Sequence, residues 1–114
     1  MKIKRDKLDI LFAQYIKLRD KVCQRCGGTS GLQTAHFYGR ARKSVRFDGC
    51  NSTLLCFGCH QFFHSRPAEF VEWYRQRLGD KYDLLQARMR DTTKIDRQAI
   101  ELYLKAEIKK LEEG

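Results

Sequence analysis

Two CxxC units, Cys23-Gln24-Arg25-Cys26 and Cys56-Phe57-Gly58-Cys59, stand 29 residues apart and limit how the chain can fold. A chain of 114 residues buries only about two-thirds of its unfolded surface. A core that small often needs a disulfide or a metal to hold it. Each CxxC sets two thiolates on one side of a tight turn, and two such turns complete a tetrahedral Zn²⁺ site with no open position. The pattern therefore predicts a structural zinc on Cys23, Cys26, Cys56 and Cys59. The competing readings are a redox CxxC, for which one pair would suffice, and unpaired cysteines. The fifth cysteine, Cys50, stands outside the paired spacing and is expected as a buried or partly buried free thiol.

The N-terminus, Met1 to Asp6, is charged, with no apolar signal-peptide core after it. The longest uncharged run, Gly49–Ser65, is too polar to span a bilayer. These points predict a reducing, cytoplasmic setting with no membrane partner, where CxxC pairs read as metal ligands rather than disulfides. The net charge of +9 is uneven: residues 1–50 carry +8 and residues 51–114 carry +1. A basic half beside a balanced one suggests a polyanion-binding face, or simply a basic protein.

Periodicity predicts a helix over 6–22, with Leu8, Leu11, Phe12, Tyr15 and Ile16 on one face and Asp6 as its cap. Leu32–Tyr38 reads as a short strand and Val45-Arg46-Phe47 as a second. Asn51-Ser52-Thr53 reads as the start of a helix that continues to Ser65. Pro67, with Ser65 as cap, opens another helix that Gly79 ends. Helical segments are expected over 80–90 and from Asp96 to Glu112. Phe62, Phe63, Phe70, Trp73 and Tyr74 have helical spacing and are assigned to the core rather than to base stacking.

The chain has three histidines, all between or just after the cysteine pairs. His60 and His64 are four apart, so on a helix they share a face and can share a cation. His36 ends the first expected strand and is placed facing that helix.

The series His36-x14-Asn51-x8-His60-x3-His64, with Asn51-Ser52-Thr53-Leu54-Leu55-Cys56-Phe57-Gly58-Cys59-His60, resembles the HNH, or ββα-metal, endonucleases. Ala35-His36-Phe37-Tyr38 and Arg46-Phe47 are most similar to the phage NinG/Rap recombination nucleases. The resemblance implies an α+β, mostly helical fold: a small ββα-metal (HNH) core over a structural four-cysteine zinc site, with flanking helices. The length of 114 residues independently predicts a single domain, with an N-terminal helix 6–22, a zinc/HNH core 23–65 and a helical part 66–114. The resemblance also implies roles. His36 would be the general base, Asn51 would hold His36 in orientation or contact the metal, and His60 and His64 would hold one divalent cation (Mn²⁺, Mg²⁺, Ni²⁺ or Zn²⁺). Many relatives carry a further ligand just before the base. Here that residue is Ala35, which leaves the cation to two imidazoles, water, phosphate and the candidates Asn51 or Asp48.

Arg40, Arg42, Lys43 and Arg46 lie between His36 and Asn51, where guanidinium groups can grip phosphates beside the cut. Lys2, Lys4, Arg5 and Lys7 could extend that footprint. The expected function is metal-dependent hydrolysis of DNA, with branched or recombination DNA in phage or prophage as a candidate substrate and a homodimer as a candidate assembly. The alternatives are a non-catalytic zinc-stabilised DNA-binding protein and an HNH nickase associated with packaging or homing.

Overall fold

In a computed structural model, which describes residues 5–114, the chain forms α1 (Lys7–Asp20), β1 (Leu32–His36), β2 (Ser52–Cys56), α2 (Phe57–Ser65), α3 (Pro67–Leu78), α4 (Lys81–Arg90) and α5 (Arg97–Glu113). Two short 3-10 turns, Lys43–Val45 and Gly49–Asn51, lie in the long β1–β2 connection. The N-terminal residues Lys2 and Lys4 fall outside the described part.

Local chemistry sets most boundaries. The Asp6 carboxylate accepts the Leu8 amide at 2.9 Å and starts α1. Pro67 stands at the first turn of α3, and Gly79 closes that helix at φ +58°, a conformation that costs glycine little. Arg66, not Ser65, occupies the cap position of α3 and makes no side-chain cap; the Ser65 hydroxyl turns back to the Phe62 carbonyl instead. The Asp96 carboxylate caps α5 through the Ala99 amide.

The two strands pair antiparallel, with Leu32 opposite Cys56 and His36 opposite Ser52. The second strand is therefore Ser52–Cys56, not Val45–Phe47, and α2 begins at Phe57, not near Asn51. The physical reason is burial on both faces. Ser52, Thr53, Leu54 and Leu55 are all buried, and such a continuous run carries no strand alternation to read. Val45 and Phe47 are also buried, but Val45 at the end of a 3-10 turn and Phe47 just after it enter different clusters.

Helix α1, with α5 behind it, covers one face of the hairpin: Phe12, Ile16, Leu54 and Leu104 pack together there. Helices α2 and α3 cover the other, where Ala35, Leu55, Cys59 and Phe63 meet Trp73 and Phe70. A third cluster of Val45, Tyr74 and Leu85 seats α4 on the β1–β2 connection. The aromatic residues assigned to the core are there: Phe63 and Tyr74 are buried, while Phe62, Phe70 and Trp73 are partly buried beside them.

A partly buried ionic link ties these layers. Arg19 donates to the Gly49 carbonyl at 2.8 Å and the Ser52 carbonyl at 2.9 Å, and it pairs with Asp20 at 2.8 Å. Asp20 in turn accepts the Leu54 amide at 2.9 Å. The end of α1 thereby clamps both sides of Asn51. No described helix is long and apolar enough to cross a membrane.

Candidate functional site

The two CxxC units converge. The Sγ atoms of Cys23, Cys26, Cys56 and Cys59 all lie within 4.8 Å of one another, and Cys26 and Cys56 are 3.7 Å apart. A tetrahedron with Zn–S bonds of about 2.3 Å has edges of about 3.8 Å, so the cluster has the right size for a metal such as zinc. No disulfide joins any of the five cysteines, and Cys50 is a partly buried free thiol.

The turns carry the hydrogen bonds that thiolate ligands require. The Cys26 amide approaches the Cys23 sulfur, the Gly28 amide the Cys26 sulfur, and the Cys59 amide the Cys56 sulfur, at 3.4–3.5 Å. The last of these makes Cys56 the N-cap of α2 as well. Arg25 donates to the Cys59 sulfur at 3.4 Å while its guanidinium lies 3.9 Å from the Phe62 ring centre. Burial pushes the Cys23 thiol up, but backbone amides outweigh it and draw the thiol down to about 6. Burial pushes the Cys59 thiol up to about 12, with Arg25 opposing and the neighbouring cysteines adding. A central divalent cation resolves that conflict, because it deprotonates the thiols it binds. The histidines take no part in this cluster, which argues against a mixed cysteine–histidine knuckle.

His60 and His64 both lie on α2, one turn apart. His36 ends β1, but it does not face them as expected. Strand alternation directs Ala35 into the cluster with Cys59 and Phe63 on the α2 side. His36 is directed to the α1 side, where its ring centre is 5.7 Å from that of Phe12. Ala35 therefore lies buried on the α2 side, packed with Cys59 and Phe63.

The link between the two sides is Gln33, a residue the motif did not single out. It lies two positions before Ala35, so it shares the α2-facing side of β1, and its Oε1 is 2.6 Å from Nδ1 of His60. Gln33 also lines a cavity of about 790 Å³ with Asp9, Phe12, His36, Arg40 and Arg46. The cavity runs along β1, and its wall ends on the residue that touches His60.

His36 lines that cavity and is half-buried as a residue; its Nε2 is itself shielded from solvent and has no hydrogen-bond partner. Burial holds its pKa below the ordinary 6.5, and the charges of Arg40 and Arg46 act the same way, against the Arg46 backbone and the Asp9 carboxylate. His60 is also held low, by burial and by the neighbouring His64. Both imidazoles are thus biased to the neutral form that a base or a metal ligand needs.

Asn51 is fully buried and acts on backbone. Its Oδ1 accepts the Tyr38 amide at 2.8 Å, its Nδ2 donates to the Tyr38 carbonyl at 3.0 Å, and its own carbonyl accepts the Phe37 amide at 2.7 Å. It fixes the segment that follows His36. Asp48, the other candidate ligand, caps the turn at Cys50 and pairs with Arg88.

The basic loop divides. Arg40 and Arg46 enter the His36 cavity, and both bond the Asp9 carboxylate; Arg46 also reaches Asp6 at 3.6 Å. Arg42 and Lys43 are exposed and line a second cavity of about 850 Å³ with Lys94 and Arg97. Asp9, Arg19, Asp20, Arg25 and Gln33 act through partners distant in sequence, and no local pattern marks them.

Comparison with family models, with curated proteins and with solved structures finds no match.

Proposed function

We propose that this chain is a metal-dependent DNA endonuclease of HNH type, hydrolysing phosphodiester bonds, with branched or recombination DNA of phage or prophage as its substrate. The observation that carries the reading is a neutral-biased imidazole whose buried Nε2 has no partner, beside a cavity shared with two arginines and with the glutamine that touches His60; substrate binding turns that nitrogen toward the water. Arg40 and Arg46 grip the phosphates that flank the cut. His36 takes the proton of the attacking water as the new P–O bond forms. The P–O3′ bond breaks, and its oxygen takes a proton from solvent, which leaves a 5′-phosphate and a 3′-hydroxyl. Asn51 keeps the Phe37–Tyr38 backbone, and so His36, in place. His60 and His64 would hold a divalent cation at the Gln33 end of this cavity, and when bound it would supply charge neutralisation at the phosphate and the leaving oxygen. A structural zinc on the four cysteines holds α2 against the rest.

One observation favours a second reading, a non-catalytic zinc-stabilised DNA-binding protein. Among the described residues, the four cysteines are the only group of three or more metal-ligating side chains. Purified protein incubated with a four-way junction, a nicked plasmid and a supercoiled plasmid separates the two. The endonuclease reading expects Mn²⁺-dependent cutting that His36→Ala abolishes with zinc content and DNA binding retained. Binding without cutting in any divalent metal overturns it in favour of the second. Cutting of ordinary duplex at one sequence, with no preference for branches, points instead to a packaging or homing nickase.

A further inference from the structure

The contact between Gln33 and His60 joins two elements 27 residues apart in sequence. Gln33 is exposed, sits in register with Leu55 on β1, and shares a side with Ala35. An apolar core does not require an amide there, and the opposite strand is satisfied by the backbone ladder alone. Two acceptors repel at 2.6 Å, so with the Gln33 carbonyl oxygen facing the ring the contact is satisfied when His60 carries its hydrogen on Nδ1 and its lone pair on Nε2.

We propose that Gln33 is a positioning residue that holds His60 in the Nδ1-protonated tautomer, presenting Nε2 to a divalent cation shared with His64. The proposal rests on the endonuclease reading for the cation's purpose. Metal-bound histidines generally donate their other ring hydrogen to an oxygen, which fixes the ring and raises its basicity. Ala35 supplies no ligand on this face, and Gln33, two residues earlier on the same face, supplies orientation instead. It does so without adding charge, which keeps the site open to an anionic phosphate.

The test is the ¹⁵N spectrum of the His60 ring in zinc-loaded, Mn²⁺-free protein at about pH 8, where an ordinary imidazole is neutral. It is paired with calorimetric titration of Mn²⁺ on the same samples. The wild type is expected to show His60 protonated on Nδ1. Gln33→Ala is expected to move His60 to a mixture or to the Nε2-protonated form and to weaken Mn²⁺ about tenfold. Gln33→Glu, which keeps an oxygen at the same place, is expected to retain the tautomer and at least the wild-type affinity. An Nε2-protonated wild type overturns the proposal, and so does an unchanged tautomer and affinity in Gln33→Ala. Gln33→Glu behaving like Gln33→Ala also overturns it. A wild type with the expected tautomer that binds no Mn²⁺ beyond the structural metal fails differently: it removes the endonuclease reading and the cation-binding purpose together.

Discussion

Asp9 on α1 accepts a hydrogen bond from Arg46 Nε at 3.1 Å and a second from the same guanidinium, and so holds an arginine of the His36 cavity from across the fold. Arg40 lands on the same carboxylate. A carboxylate that accepts from two arginines stands where a phosphate oxygen would. Asp9→Asn removes the negative charge and keeps the shape. DNA affinity should rise roughly threefold to tenfold, about 0.7–1.4 kcal/mol, with a steeper salt dependence as two cations become available to phosphate. Fluorescence anisotropy across a salt series measures both. A fall in affinity with the fold intact would show instead that Asp9 presents the arginines rather than occupying them.

The same carboxylate sets an acid limit on stability. Burial pushes the Asp9 carboxyl up, but the bonds from Arg46 and Arg40 outweigh it and hold it below its ordinary 3.8. Its contribution is therefore present above about pH 4 and is lost as the pH falls through the lowered folded value. In Asp9→Asn that component of acid unfolding should disappear, which a pH series of thermal melts reads directly.

Loss of the cysteine-bound metal should be far more damaging than any of these changes. Zinc binding by such sites contributes roughly 10–16 kcal/mol, against a net stability of about 5–15 kcal/mol for a domain. Cys23→Ser, or chelation at neutral pH, should therefore abolish cooperative melting while helical signal persists in part. Metal analysis should return one tightly held zinc per chain. A variant lacking Cys23 that still melts cooperatively at the wild-type temperature would remove the metal from the account of the fold.

What could be read from sequence was local. The CxxC spacing, the Asp6 cap and the Pro67 and Gly79 boundaries each depend on residues within a few positions of one another, and all appear in the structure. Strand β2 was not legible, because Ser52 to Leu55 are buried on both faces and show no period. His36 was expected to face α2 from its place at the end of the first strand, but Ala35 takes the α2 side and alternation leaves His36 against Phe12 on the α1 side. Gln33, Asp9 and the Arg19–Asp20 clamp bond partners 27 to 37 residues away, and only the fold brings these together.

Asn51 offers a test of support as distinct from ligation. Its amide meets both the donor and the acceptor of Tyr38. Asn51→Asp keeps the acceptor but sets a carboxylate oxygen against the Tyr38 carbonyl. Leaving a buried pair mismatched costs about 1–3 kcal/mol, and more when a charge is involved. The variant should lose at least that much stability and should lose cutting, while its zinc and Mn²⁺ affinities stay as in the wild type. Loss of Mn²⁺ affinity alone, with stability unchanged, would make Asn51 a ligand rather than a brace.

The metal preference follows from donor type. Two imidazoles favour Mn²⁺, Ni²⁺ or Zn²⁺ over Mg²⁺, which prefers oxygen. Ala35 adds no oxygen ligand, and Asp48 is engaged with Arg88. Cutting should accordingly be faster in Mn²⁺ than in Mg²⁺ at matched concentration. Equal or better activity of the wild type in Mg²⁺ would count against a two-histidine site.

The pH dependence isolates His36. Its folded pKa is lowered, first by burial and then by the positive charges of Arg40 and Arg46. A histidine shifted this way favours the neutral form when folded, so its contribution to stability is present above about pH 6.5 and is lost as the pH falls below it. A base must be neutral to accept a proton, so the acid limb of kcat/KM for a junction substrate should lie below 6.5. Asp9→Asn removes a charge that opposes this lowering and should move the limb further down. A limb above 6.5, or one that ignores Asp9→Asn, would mean that the proton leaves the attacking water for some group other than His36.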